Sequence, residues 1–219
     1  MPARAAPAGF LALQTEELAA PARNHAELVR QAATCRGCDL WRHATQTVMG
    51  EGPVPAKLML VGEQPGDKED IAGHPFVGPA GQLLDRAMHE AGVDRKAVYV
   101  TNAVKHFKYL PRGKRRMHQR PNAAEVKVCR WWLQEEVRLV RPRLVVALGR
   151  TAAQSLLGKA VTISAVRGSF LPLAGTTELF VTVHPSALLR APDEADRRRQ
   201  LRQFVADLHK VGQHAETQA

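Results

Sequence analysis

Cysteine is scarce in this chain. Three in 219 residues is an odd, sparse set, which argues against a disulfide framework and fits a reducing compartment with thiols free for a metal or a cluster. Long apolar runs are missing as well. None approaches the roughly 18 residues of a membrane span, and the longest candidates resemble Leu144–Leu148. Phe10-Leu11-Ala12-Leu13 is too short for a signal-peptide core and is closed by Gln14, so the expectation is a cytoplasmic protein with no membrane partner. Acids are outnumbered, 21 against 31 basic residues, for a net charge of +10. Such an excess points to a polyanion, usually nucleic acid, if it is concentrated rather than spread. It is concentrated. Lys105, Lys108, Arg112, Lys114, Arg115, Arg116 and Arg120 fall in one stretch with no acid, and the rest of the chain carries only +3.

What is present is alternation. An apolar fraction of 45% suits a globular core. The Ala- and Pro-rich residues 1–22 read as a flexible tail, 23–211 as a single domain and 212–219 as a C-terminal tail. His25–Ala33 reads as a short helix. Strands are expected at Lys57–Val61, Val98–Thr101, Leu144–Leu148 and Leu179–Val183. Helices are expected at Gly81–Ala91, from Asn122 to Pro142, at Thr151–Leu157 and at Asp193–Val211. Asn122 with Glu125 has the spacing of a capping box. The basic stretch, broken by Pro111, Gly113 and Pro121, reads as a loop. The whole is an α/β protein, a three-layer α/β/α sandwich around a mainly parallel four-stranded sheet. Ligands in such folds bind beyond the carboxyl ends of the strands, which singles out Gly62-Glu63-Gln64, Asn102 and His184-Pro185-Ser186.

Each of these has a plain alternative. Glu63 in Gly62-Glu63-Gln64-Pro65-Gly66-Asp67 is either a carboxylate at the functional edge or a solvated turn residue. His184 could donate to a developing anion, or Ser186 could cap a helix beside a packed imidazole. The carboxamide of Asn102 offers one acceptor and two donors, a match to the N3–H and O4 edge of uracil, yet Asn commonly caps turns. Phe76 could stack on a base or belong to the core. Cys35 and Cys38 have the C-x2-C spacing of metal sites, and Cys129 and His106 could complete a set of four. Zinc or an iron–sulfur cluster would both accept these donors. His118 lies in the basic stretch, where phosphate contact is the ordinary role.

Together these segments resemble the uracil-DNA glycosylase superfamily. The resemblance rests on Gly62-Glu63-Gln64-Pro65-Gly66, Gly78-Pro79-Ala80-Gly81, Thr101-Asn102-Ala103-Val104-Lys105 and His184-Pro185-Ser186-Ala187-Leu188-Leu189-Arg190, and runs in order from about Cys35 to Arg190. Within that superfamily it is similar to the iron–sulfur enzymes of family 4, with departures. Gln64 stands where they have Ala or Gly, His106 stands where they have Cys, and Lys114-Arg115-Arg116-Met117-His118 is inserted. All three departures are similar to those of UdgX-type members, which become covalently attached to the deoxyribose of uracil-containing DNA.

The resemblance implies a [4Fe-4S] cluster on Cys35, Cys38, His106 and Cys129. It implies DNA repair chemistry on the glycosidic bond of uracil, with Glu63, His118 and His184 catalytic. Phe76, Asn102, Gln64, Asp67 and His184 would hold the uracil and its surroundings. Lys105, Lys114, Arg115, Arg116, Arg120 and Ser186 would contact DNA, single strands included, and the protein would work as a monomer. A target base must leave the stack to be reached. Asn102 would then read its edge, His184 would donate toward O2 and Glu63 would favour the cationic sugar. His118 would attack C1′. The other readings are a multiple-turnover hydrolase that leaves an abasic site, and a non-catalytic zinc-stapled DNA-binding module.

Overall fold

The computed structural model describes residues 10–13 and 15–217. In chain order its principal elements are α1 (His25–Ala32), β1 (Leu58–Gly62), α2 (Asp67–Ala72), α3 (Pro79–Glu90), β2 (Val98–Asn102), β3 (Tyr109–Arg112), β4 (Arg115–His118) and α4 (Ala123–Val140). There follow β5 (Leu144–Leu148), α5 (Arg150–Leu157), α6 (Ile163–Val166), β6 (Phe170–Ala174), β7 (Thr177–Thr182), α7 (Pro185–Leu188) and α8 (Glu194–Thr217).

Every residue of β1, β2 and β5 is buried, as expected of parallel strands covered on both faces. Successive side chains point to opposite faces. Leu58, Leu60, Val98, Val100, Leu144 and Val146 therefore pack under α3 and α8, and Met59, Val61, Tyr99, Val145 and Ala147 pack under α4 and α5. Each fully buried aliphatic of this kind contributes about 1.5–3 kcal/mol relative to exposure. A third cluster joins α1 to α4 around Leu28, Trp131, Trp132, Cys35 and Cys129. The Asn122 capping box forms, with Asn122 Oδ1 accepting from Glu125 N–H and Glu125 returning a carboxylate to Asn122 N–H. Among the described residues no helix is long and apolar enough to cross a membrane.

The sheet order is β2-β1-β5-β7-β6. Four strands are parallel and β6 pairs antiparallel with β7, so the expected four-stranded sheet has a fifth strand. Phe170–Ala174 is half-exposed and contains Pro172, a residue that a strand tolerates at a sheet edge but that hides the strand in the sequence. The expected basic loop is also an ordered element. β3 and β4 form a two-stranded antiparallel ribbon, turned at Gly113 with φ 57°. Pro111 and Gly113 are here the marks of a narrow hairpin, not of irregular chain.

The stretches expected as tails, 1–22 and 212–219, contain packed or helical residues. Phe10 is buried in the second core, Gln134 Nε2 donates to the carbonyls of Phe10 and Leu13, and Ala22 N–H donates to Glu135. The remainder of that tail, residues 1–9 and 14, lies outside the described residues. α8 continues through Thr217 because Val211 is buried and His214 bonds Glu178.

Candidate active site

The parallel strands end on one edge, and the chain reverses direction across the sheet between β1 and β5, with β2 outside β1 and β7 outside β5. A crevice at such a switch point is where this architecture binds ligands. The first residues past the strands meet there. Glu63 follows β1 and Thr151 follows β5, and the Thr151 hydroxyl donates a short hydrogen bond to Glu63 Oε2. Arg120 Nε stands 3.5 Å from the same oxygen. The other oxygen, Oε1, faces His118 Nε2 at 3.5 Å. That is a contact distance longer than a good hydrogen bond.

The other half of the site is a recess around Gly62. A Cβ at this glycine would come within 2.4 Å of Asn102 Oδ1 and 2.7 Å of Phe76 Cζ, so only glycine lets those two side chains close on the end of β1. Phe76 adopts φ 60° without being glycine, a sparsely populated backbone state that persists when neighbours enforce it. Gly81 is one such neighbour, since any Cβ there would run into the Phe76 carbonyl at 1.6 Å. The Phe76 and His184 rings lie 6.2 Å apart and nearly parallel, at 26°. Asn102 is 3% exposed. Glu69, itself buried, accepts from Gly66 N–H and Gly78 N–H and so ties the turn after β1 to the turn that leads into α3.

The imidazoles are held neutral. Burial pushes His184 down to about 4, with Arg190 and His118 adding to the shift. Ser186 N–H donates to His184 Nδ1 at 3.1 Å, so Nδ1 is the acceptor. The neutral ring then carries its proton on Nε2, free to donate toward the recess. His118 is likewise lowered by burial, against the pull of Glu63 and with Arg190 and Arg120 assisting. At neutral pH it presents a lone pair beside a carboxylate.

Glu63, His118, Arg120, His184, Ser186, Asn102 and Phe76 are thus brought to the strand ends. Four other expected site residues are employed elsewhere. Lys105 is fully buried and donates to Glu136 (2.5 Å), Thr101 (2.7 Å) and the Asn102 carbonyl (2.6 Å), so it cannot reach DNA. Buried against the Glu136 carboxylate, it is a structural cation. Gln64 spends its amide on the base of the hairpin, donating to the carbonyls of Lys108 and Gln119 and accepting from Lys108 N–H. Both of its amide N–H groups are thus committed to the hairpin. Arg116 is forked onto Asp67 (2.5 Å) and Asp70 (2.6 Å) under the Tyr109 and Phe107 rings. It clamps β4 to α2, with Asp67 as one of its two counter-ions. Lys114 and Arg115 lie exposed at the hairpin turn.

Thr151 was not among the residues expected in the site. Its signal is positional: Gly149-Arg150-Thr151 lies just beyond the end of β5, as Glu63 lies beyond β1.

The thiols gather under the start of α4. Trp132 Nε1–H donates to Cys35 Sγ and Lys105 N–H to Cys129 Sγ, both at 3.2 Å. Burial pushes the Cys129 thiol up to about 12, and Cys35 and Cys38 lie near enough to oppose its ionisation. His106 is 4% exposed and pushed by burial down to about 4, hence a neutral imidazole. N–H donors aimed at sulfur and a soft set of three thiols with one imidazole are suited to an iron–sulfur group. Among the described residues no three Cys, His, Asp or Glu side chains close around a single metal ion.

Residues 49–209 match the family described as the uracil DNA glycosylase superfamily. The chain is 37% identical over 174 residues, 79% of its length and 84% of the relative's, to a type-4 uracil-DNA glycosylase of Thermotoga maritima. It is 39% identical to a type-4 uracil-DNA glycosylase of Pyrobaculum aerophilum, over 72% of this chain and 81% of that one. A type-5 uracil-DNA glycosylase of the same archaeon is 32% identical, over 70% and 71%.

Proposed function

The chain belongs to the uracil-DNA glycosylase superfamily, and from that footing we propose that it excises uracil from DNA and then captures the sugar covalently on His118. The observation that carries the second step is the position of a neutral imidazole on an exposed hairpin, 3.5 Å from the carboxylate of Glu63. Uracil enters the recess against Phe76 and bonds Asn102 along its N3–H and O4 edge. The C1′–N1 bond breaks and its electron pair leaves with the base. His184 Nε2–H donates to O2 as charge builds there, a preorganised donor in a shielded site. Glu63, steadied by Thr151 and Arg120, stabilises the cationic sugar. The lone pair of the His118 ring then bonds C1′, the other ring nitrogen releases its proton, and the uracil anion takes a proton from water. A tethered imidazole has a large effective concentration relative to a loosely held water.

Cys35, Cys38, Cys129 and His106 would hold the [4Fe-4S] cluster. Its contribution here is structural, joining the segment after α1, the residues before the hairpin and α4. The second reading is hydrolytic turnover, favoured by the type-4 relatives: water takes the place of His118 and an abasic site remains.

Denaturing electrophoresis of a uracil-containing oligonucleotide with wild type, His118→Ser and Glu63→Gln separates these readings. Wild type should give a retarded covalent band. His118→Ser should lose the band and release free uracil. Glu63→Gln should slow both products by roughly a hundredfold or more, the scale of removing one electrostatic stabiliser. An undiminished band from His118→Ser would sink the covalent role of this residue, and free uracil without any band from wild type would favour the hydrolytic reading.

A further inference from the structure

We propose that the groove between the β3–β4 hairpin and α2 receives the nucleobase of a nucleotide flanking the target uracil, a reading that rests on the DNA substrate proposed above. The groove is open to solvent, spans about 550 Å³ and is lined by Thr45, Asp67, Ile71, Lys114, Arg115 and Met117, with Arg116 between them. Ligand pockets of small molecules fall in the range of roughly 300–1,000 Å³, so a single nucleotide fits. None of the residues of the uracil recess lines it. The two sites share only the hairpin, which carries His118 on the same strand, β4, as Met117.

The lining divides into two chemistries. Ile71 is 63% exposed and Met117 43% exposed, and apolar side chains of that size left bare along a strongly basic concavity mark a binding surface. A phosphate alone would have no use for them. Lys114 and Arg115 have no carboxylate partner among the described residues, while Arg116 between them is committed to Asp67 and Asp70. The Asp67 charge is answered by that same guanidinium, so an approaching strand meets a net positive rim. Two uncommitted cations for a phosphate, beside two apolar side chains for the face of a base, match a nucleotide in a single strand. Single-strand binding sites combine a basic track with surfaces on which bases stack. Seating a flanking base there would hold the hairpin, and with it His118, against the strand being attacked.

The test is a scan of single-stranded oligonucleotides that contain 2′-fluoro-2′-deoxyuridine, whose glycosidic bond resists cleavage. A baseless tetrahydrofuran spacer is placed at one position at a time on either side. Wild type should lose affinity by about five- to tenfold at one flanking position, the scale of returning one to two apolar CH₂-sized contacts to water. Ile71→Ser/Met117→Ser should lose the same factor on the strand with all its bases and become indifferent to the spacer at that position. Ile71→Ser alone, which leaves the hairpin untouched, should show the same pattern at half strength or more. Wild-type affinity that ignores every spacer would overturn the proposal, as would variants that remain as sensitive as wild type. Uracil release at saturating DNA is measured in parallel on cleavable strands. If wild type releases none, the function itself fails; if it does and the spacer scan is flat, only the groove fails.

Discussion

The two ends of one basic stretch behave as opposites. At its start Lys105 is fully buried, with its ammonium 2.5 Å from Glu136. At the hairpin turn Lys114 and Arg115 stand exposed, with no carboxylate partner among the described residues. Between and beyond them Lys108 pairs with Glu125, Arg116 with Asp67 and Asp70, and Arg120 approaches Glu63. A run without acids therefore is not a run without counter-ions, because the carboxylates arrive from α2, α4 and the turn after β1. Charge counting along a chain measures what is near in sequence, and pairing is decided by what is near in space. The cations of this stretch with no carboxylate partner among the described residues are Arg112, Lys114 and Arg115, a tip rather than a tract.

The contrast breaks most sharply at its buried end. Glu136 accepts from Gly50 N–H, Tyr99 and Thr101 as well as from Lys105, so removing the lysine strands a charge inside a satisfied network. Lys105→Met should cost about 3–5 kcal/mol, the scale of breaking one partner out of a buried ion pair. Lys105→Met/Glu136→Gln should recover much of that loss. Chemical denaturation of both variants checks this, and a double variant no better than the single one would mean that the network, not the pair, sets the cost.

Arg116 is the intermediate case. Its guanidinium is part-exposed, but Asp70 is fully buried and would retain only Thr45 as a partner. Arg116→Ala should destabilise by about 1–3 kcal/mol, the cost of leaving a buried acceptor short of its partner. It should also loosen β4, so that adduct formation falls more than uracil release. Hydrogen exchange of the β3–β4 amides reports the loosening directly. Protection unchanged in Arg116→Ala would show that the contacts of Gln64, Lys108 and Tyr109 suffice to hold the hairpin.

Legibility followed the same divide. The parallel strands were readable because their residues are apolar without interruption, and Asn122 with Glu125 announced the start of α4. The site's recess was readable from the rule that ligands meet strand ends, which led to Glu63, Asn102 and His184. Lys105, Gln64, Asp67 and Arg116 misled because their side chains are spent on partners 31, 44, 49 and 46 residues away, distances at which sequence pattern carries no information. Strand β6 is hidden by Pro172, and Thr151 by its place in the first turn of the helix that follows β5.

Acid sharpens the comparison from the imidazole side. His184 is held by burial near 4 and His118 below its ordinary range. Adduct formation should therefore persist as pH falls through about 6.5, the usual imidazole value, to a lower pH than an unburied histidine nucleophile would allow. Stability moves with the sign of a depressed base. The unfolded chain takes up these protons first, so stability is full above the ordinary imidazole range and is lost as pH falls through it toward about 4. Melting of wild type and His184→Asn across pH 7 to 4 measures the His184 share, and parallel curves for the two would refute it.

The smallest structural effect belongs to the exposed tip, and there the functional effect is the informative one. Arg112→Ala/Lys114→Ala/Arg115→Ala removes three charges that touch no described carboxylate, and substitutions of this kind usually stay within ±0.5 kcal/mol each. Their thermal midpoint should hardly move, in contrast to Lys105→Met, although both changes delete cations from one stretch. DNA binding should respond in the opposite order. Each phosphate contact on a single strand contributes about 0.7 to the slope of log affinity against log salt, through release of its counter-ion. Losing the tip should lower that slope by up to about 2 if all three cations reach phosphates. Lys105→Gln, provided it folds, should leave the slope unchanged because its ammonium never meets solvent. The assay is fluorescence anisotropy of a uracil-free single strand from low to moderate salt, since binding without cleavage isolates the electrostatic contribution. Equal slopes for wild type and the triple variant would mean that phosphates are gripped elsewhere on the molecule, and the division between a buried structural end and a free DNA-facing end would not hold.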